Sequence, residues 1–287
     1  PFLQAAATPV SRRLAEMGSW RGILVTLVLA LGMGSPLAGE AAAPAAPPLP
    51  FAPGEDLRFA VKFGPVRAGE ARLSVHGPET VDGRVAYRFR STAESSRFFS
   101  TFFPVNDRVE SVWSIDERLP LRFEKHIREG KYAKDTAIRF DHAQGQAAYS
   151  NGKRYSFPPG SQDVLSAFYF VRSQALAPGA VLRVPNHTDG KNYPLEVKVL
   201  RRETVTVPAG TFACVVVEPL LKSAGLFKQE RNRTIWLTDV ARRMPVLMKS
   251  KVAVGSIAAE LESFRPGGTR QVVPKAAAPS PAAGRSR

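Results

Sequence analysis

Apolar and polar residues alternate along most of the chain, and the period of that alternation changes in one place. From Leu57, the residues Leu57, Phe59, Val61 and Phe63 fall on one side and Arg58, Ala60 and Lys62 on the other, the two-residue period of a strand with one buried face. Gly64-Pro65 marks a turn, Ala71, Leu73 and Val75 resume the pattern, the stretch from Gly77 to Gly83 reads as the next turn, and Val85, Tyr87 and Phe89 predict a third strand. The same signal predicts strands over 105–115, 121–128, 136–140, 149–157, 180–184, 193–199, 204–207, 211–217, 233–237, 246–254 and 256–264. Val207-Pro208-Ala209-Gly210 reads as a tight hairpin, with Gly210 supplying backbone angles that other residues avoid.

The change of period lies between Gly160 and Gly179. Ser161 or Asp163 can cap a first turn, Val164, Phe168 and Val171 recur at helical spacing, and Pro178-Gly179 stops the run. Leu165, Ala167, Tyr169 and Phe170 occupy most of the remaining circumference, so this helix is expected to be wrapped by other elements. Many short strands around one helix predict a mainly β fold: an antiparallel curled sheet or incompletely closed β-barrel with one central buried helix. A parallel α/β fold would need repeated crossover helices.

The two ends of the chain depart from the alternation. Arg21 precedes the apolar run 22–33, which is short for a bilayer span, and the small residues Ala38, Ala41, Ala42 and Ala43 follow it. That order is the order of a cleavable signal peptide. Residues 1–43 are therefore assigned to the signal and what precedes it, 44–50 to an Ala/Pro linker, 51–264 to a single β domain, and 265–287 to a disordered basic Pro/Ala tail. No Cys follows the apolar run, so lipid anchoring is not expected, and the mature protein is placed as a soluble protein of the periplasm.

A net charge of +15 would suggest nucleic acid if it were concentrated on one face. It is spread: +1 before Phe51, +5 after Phe264 and +9 between them, with no nucleic-acid motif. The basic tail suits an anionic envelope surface better than a nucleic acid. Cys214 lies within a β-branched run and reads as a small buried hydrophobe. His76, His126, His142 and His187 have no ligand spacing, and neither a phosphate loop nor a Gly-x-Ser-x-Gly elbow is present, so no metal, no cofactor and no catalytic residue is assigned.

Several short motifs occur in a recognisable order. Pro53-Gly54-Glu55 stands before a strand, Ala68-Gly69 after the first turn, and Asp163-Val164-Leu165-Ser166 is followed by Tyr169 and Arg172. Val207-Pro208-Ala209-Gly210-Thr211-Phe212, Ile235-Trp236-Leu237, Pro245-Val246 and Gly255-Ser256-Ile257 complete the series. In this order the chain resembles, over roughly Phe51 to Phe264, the exported Gram-negative family called domain of unknown function 3108 (DUF3108). The resemblance implies an envelope β protein, related in shape to the half-open barrels of lipoprotein carriers, and it transfers no catalytic residue.

The feature least explained by a generic strand barrel is the run from Ser95 to Pro104. Phe98, Phe99, Phe102 and Phe103 suit a short helical turn with an apolar face, either closing the core or covering an apolar pocket. Leu226 and Phe227, in a second apolar loop over 220–227, are expected to line the same mouth, with Tyr169 and Arg172 of the helix as further ligand contacts. Two functions remain open on this reading. One is a non-enzymatic periplasmic envelope protein holding a lipid-like apolar ligand or a partner chain in a curved sheet. The other is a hydrolase or other enzyme acting on an envelope polymer, for which Asp107 with Glu110, or Glu260 with Glu262, would be the carboxylates. A cavity would favour the first, and two close buried carboxylates in an open groove the second.

Overall fold

The computed structural model describes residues 48–222, 229–230, 233–251 and 255–268. Seventeen strands and two helices follow one another among these residues. The first half comprises β1 (Asp56–Phe63), β2 (Val66–Val81), β3 (Arg84–Ser95), α1 (Arg97–Ser100), β4 (Asn106–Ser114), β5 (Pro120–Glu129), β6 (Tyr132–Asp141), β7 (Gln146–Tyr149) and β8 (Arg154–Ser156). After α2 (Val164–Arg172) come β9 (Val181–Val184), β10 (His187–Thr188), β11 (Lys191–Asn192), β12 (Leu195–Val207), β13 (Gly210–Lys222), β14 (Gln229–Glu230), β15 (Arg233–Thr238), β16 (Pro245–Lys251) and β17 (Ser256–Arg265).

All strands except the β10–β11 hairpin belong to one antiparallel sheet, whose order runs from β8 back through β1, crosses to β17, and continues to β12 and β9, with β14 beside β13. Pairing of β1 with β17 joins the first and last strands, so the chain starts in the middle of the sheet. The sheet's edges are β8 and β9, which are consecutive in sequence, do not pair, and are separated by α2. The fold is thus the incompletely closed curl that the alternation predicts. Register shifts at Arg58/Phe59, Val61/Lys62, Val112/Trp113 and Val199/Arg201 supply the local bends that let so many strands coil.

Three strand readings differ from the structure. The stretch 149–157 is not one strand: β7 ends at Tyr149, and β8 pairs back on it antiparallel. The stretch from Gly77 to Gly83 is not one turn: β2 runs on to Val81, Gly77 (φ +108°) and Pro78 form a bulge between His76 and Glu79, and the chain reverses only at Asp82-Gly83. The apparent gap between 199 and 204 is likewise a bulge within one long strand, because β12 keeps its pairing to β13 on both sides of it. The hairpin at Gly210 does form as expected, with Gly210 at φ +135° opposite Val207.

Helix α2 plugs the curl. Asp163 is its N-cap: Oδ1 accepts from the Leu165 and Ser166 amides at 2.8 Å each, while the Ser166 hydroxyl accepts from the Asp163 amide at 2.9 Å, a reciprocal capping box. Oδ2 accepts from Ser111 of β4 at 2.6 Å, which ties the cap to the sheet. At one end of the barrel Tyr169 stacks on Phe89 at 3.8 Å and meets Phe51 edge-on at 5.0 Å, with Trp113 also against Phe51. Arg172 lies in the same layer, fully buried, and donates to both oxygens of Glu55 at 2.8 Å each and to the Arg243 carbonyl at 3.0 Å.

Burial raises the Asp163 carboxyl to about 6, against the pull of the Ser111, Ser166 and Leu165 hydrogen bonds. The folded state therefore takes up a proton at higher pH than the unfolded chain, whose carboxyl titrates near 3.9. This group's contribution to stability is complete below the lower value, declines as pH rises between the two, and is level above the upper one. Asp163→Asn, which keeps a capping oxygen, should remove that decline, a difference of at most about 3 kcal/mol. Urea midpoints of parent and variant between pH 4 and 7 check it: parallel profiles would show that Asp163 titrates at its ordinary value.

Candidate functional site

Small side chains at inward-facing strand positions leave room beside the helix. Ala71 of β2, Ser91 and Ala93 of β3, Ser250 of β16 and Ala259 of β17 face the interior where Val164 and Phe168 of α2 look back at them, and between these two surfaces lies a cavity of about 340 Å³. Phe59, Val61, Leu73, Val197, Val217, Ile235, Leu237, Met248 and Ile257 complete its apolar wall. Interiors normally pack to a density near 0.74, so an apolar space of this size, within the ~300–1,000 Å³ of small-molecule pockets, has the dimensions of a binding site.

Polar side chains line it in two places: Arg233, Thr234, Lys249 and Ser250 on β15 and β16, and a denser set of charges on the strands of the other half of the sheet. β4, β5 and β6 place Asp107, Lys125, Glu129 and Lys134 on the inward parity, and Asp189 reaches them from the β10–β11 hairpin. The Lys125 ammonium, its side chain 3% exposed, contacts both Asp189 oxygens at 3.1 Å, and Lys134 donates to Oδ1 at 3.0 Å. Burial raises the Asp189 carboxyl, but the two ammonium groups outweigh it and hold the pKa below its ordinary value. Asp107 and Glu129 are both buried and hydrogen-bonded to each other, and the Arg128 amide donates to Asp107 Oδ1 at 2.8 Å. Burial outweighs these bonds and raises Asp107.

The hairpin that carries Asp189 spans the unpaired edges of the sheet. Asn192 donates to the Ser156 carbonyl of β8 at 2.8 Å, the Gly190 amide donates to Tyr149 Oη of β7 at 2.8 Å, and His187 contacts Tyr149 Oη at 3.0 Å and Asn192 at 2.7 Å. A parallel bridge between Gln162 and Asn186 fixes its start. Asn186 and Asp189 are the residues of this region that reach the cavity wall.

The residues singled out from sequence fall in three places. Tyr169 and Arg172 are enclosed in the aromatic layer and do not line the cavity. Phe98, Phe99, Phe102 and Phe103 lie on and just after α1, the helical turn that Ser96 caps between β3 and β4. Phe98 and Phe102 are 66% and 57% exposed and meet edge-on at 5.5 Å, while Phe99 and Phe103 are half-buried. None of the four is in the cavity lining, but their loop leaves the sheet where Ala93 pairs with Asp107 and Val105 with Glu129, three of which do line it. Leu226 and Phe227 lie outside the described residues.

Of the carboxylates weighed for an enzyme, Asp107 and Glu110 are separated by strand parity, and Glu260 and Glu262 are each held by a basic side chain. Asp107 points inward, whereas Glu110 is held by Arg88 at 3.0 Å and Arg90 at 2.9 Å, and Glu260 and Glu262 pair with Lys62 and Arg67. The histidines are likewise occupied: His76 with Ser74, His126 with Asp135, His142 with the Pro120 carbonyl, and His187 as above. Burial pushes the Cys214 thiol up to about 11. Among the described residues no cluster of three or more acidic, His or Cys side chains could hold a metal ion, and no helix is long and apolar enough to cross a membrane.

A model of the family described as protein of unknown function (DUF3108) matches residues 58–262. No curated protein matches the chain. Among solved structures, a β-barrel-like protein of the domain of unknown function DUF1849 from Brucella abortus superposes with a TM-score of 0.52 at 12% identity, covering 76% of this chain and 99% of that one. A DUF1089 family protein from Pseudomonas aeruginosa superposes with a TM-score of 0.34 at 10% identity over 74% of this chain and 95% of that one. The first likeness speaks for the fold alone.

Proposed function

The chain belongs to the DUF3108 family, and from the cavity we propose a non-enzymatic, exported envelope protein that holds a lipid-like apolar ligand between helix α2 and the concave face of its sheet. The carrying observation is a mainly apolar cavity walled by strands from both halves of the chain, with its polar groups gathered on β4–β6 with Asp189 and on β15–β16. The signal-like run 22–33 supports export to the periplasm, and the basic residues after Phe264 fit an anionic envelope surface. Phe98 and Phe102 form a greasy rim next to the strand ends through which an acyl chain would enter.

One observation bears on the enzyme reading: Asp107 and Glu129 are two close buried carboxyls. Carboxyls that hydrogen-bond each other sit closer than the ~5–5.5 Å of a retaining glycosidase pair and far closer than an inverting pair, and the walls around them are apolar. They suit a shared proton better than hydrolysis of a polymer.

Mass spectrometry of material extracted from protein purified out of its native envelope tests the proposal; a recovered lipid supports it. Phe98→Ser with Phe102→Ser should leave the denaturation midpoint within about 0.5 kcal/mol of the parent, as for exposed sites, and weaken uptake of an environment-sensitive apolar dye. Unchanged dye uptake by the folded double variant would remove the rim from the site, and a parent that takes up neither lipid nor dye would remove the ligand.

A further inference from the structure

A buried ammonium on an apolar wall needs a counter-anion, and Asp189, at the tip of the β10–β11 hairpin, supplies one to Lys125. Asp189 sits at the β10–β11 turn with φ +47°, exposed, and its carboxylate is shared between Lys125 and Lys134. The hairpin itself is anchored, with His187 and Thr188 buried, the His187 ring against Phe140, Phe157 and Tyr149, and the Gly190 and Asn192 amides on Tyr149 Oη and the Ser156 carbonyl, so the part free to move is the Asp189 side chain at its tip. On the other side of the lysines, Asp107 and Glu129 are engaged with each other and with the Arg128 amide. Asp189 is thus the anion in the group that can leave without breaking the sheet.

We propose that Lys125 and Lys134 form the headgroup site of the cavity, that its ligand is a single-chain amphiphile with an anionic head, carboxylate or phosphate, and that this head exchanges with the Asp189 carboxylate as the Asp189 side chain turns aside. The inference rests on the apolar cavity holding a lipid-like ligand, and adds which lipids it takes. The apolar wall at Ala71, Leu73, Phe168 and Ala259 receives the chain, while the two ammonium groups receive the charge. Asp189 then acts as an internal competitor: it neutralises the lysines until a head of the same charge displaces it.

The full chain is titrated with four probes of equal chain length: dodecanoate, dodecyl phosphate, dodecanol and dodecyltrimethylammonium. One or both anions should bind about tenfold more tightly than the alcohol, the worth of a charge-assisted contact, and the tighter of the two names the head. Lys125→Met should abolish that preference while dodecanol affinity stays within about twofold, and Asp189→Asn should strengthen anion binding several-fold without changing the alcohol. Should the lysine variant fold poorly, the aspartate variant alone decides, because a purely structural clamp would weaken or leave unchanged the binding of anions when cut. Equal binding of alcohol and anions, or a stronger hold on the cationic probe, overturns the headgroup site and leaves the apolar cavity standing. Failure of all four probes to bind overturns both.

Discussion

Arg172→Met is expected to destabilise the protein by about 3–5 kcal/mol, the range found when one partner of a buried ion pair is removed. The guanidinium and the Glu55 carboxylate are 0% and 2% exposed, and they meet in a bidentate pair at 2.8 Å. Removing the cation leaves Glu55 charged in a layer formed by Phe51 and Tyr169, the rings over which the guanidinium lies at 5.2 and 5.0 Å. The carbonyls of Arg242 and Arg243 lose a donor at the same time. Glu55→Met combined with Arg172→Met should recover much of the loss, since the stranded charge goes with its partner, but not all of it, because the two carbonyls stay without that donor. Urea midpoints of the single and double variants decide this. A single variant as stable as the parent would show the pair to be solvated. Dye uptake per folded molecule should be unchanged in both, because Arg172 is not in the cavity wall.

Strand and helix periods were legible because one face of nearly every element is apolar. The alternation from Leu57 to Phe63 predicts β1, and the switch to helical spacing predicts α2, with Asp163 one of its two candidate caps. Bulges were not legible: Gly77-Pro78 carries the local chemistry of a turn, and only the pairing of β2 with β3 on both sides of it makes it a kink within a strand. Joining of the sheet's two halves through β1 and β17 likewise depends on two segments almost two hundred residues apart.

The cavity escaped the sequence reading for a different reason. Its walls are small residues contributed singly by separate strands, so no stretch of chain announces it. Its charges, however, left a usable trace. In β5, Leu121, Phe123 and Ile127 are buried, and Lys125 and Glu129 share their parity; in β6, Lys134 shares the parity of Ile138 and Phe140; in β4, Asp107 shares that of Val109 and Trp113. A charge on the apolar parity of a strand either enters the core or faces a lined space, and both call for a partner. The four conspicuous Phe stand out by composition but lie outside the cavity lining, which parity marks better than composition does.

Phe89→Ala should cost about 3–5 kcal/mol while Phe168→Ala costs only about 1, although both are Phe residues tied to the central helix. Helical spacing alone gives Phe168 the appearance of a core anchor. Its ring is half-buried and faces the cavity, so truncation forfeits part of one surface and merges the vacated volume with space already present. Phe89 is fully buried between β-sheet and helix, stacked on Tyr169 at 3.8 Å and set against Phe51 at 5.3 Å and Trp113 at 5.6 Å; its removal opens a void that three large rings cannot collapse to fill. The functional readout should be reversed. Enlarging the cavity at Phe168 is expected to shift binding toward longer or bulkier apolar probes, whereas Phe89→Ala, once folded, should leave probe preference alone because Phe89 is not in the wall. Denaturation midpoints and a chain-length series of one amphiphile, measured on the same two variants, separate the roles. Equal costs, with no shift in preferred chain length, would make Phe168 a core residue and deprive the cavity of its helical wall.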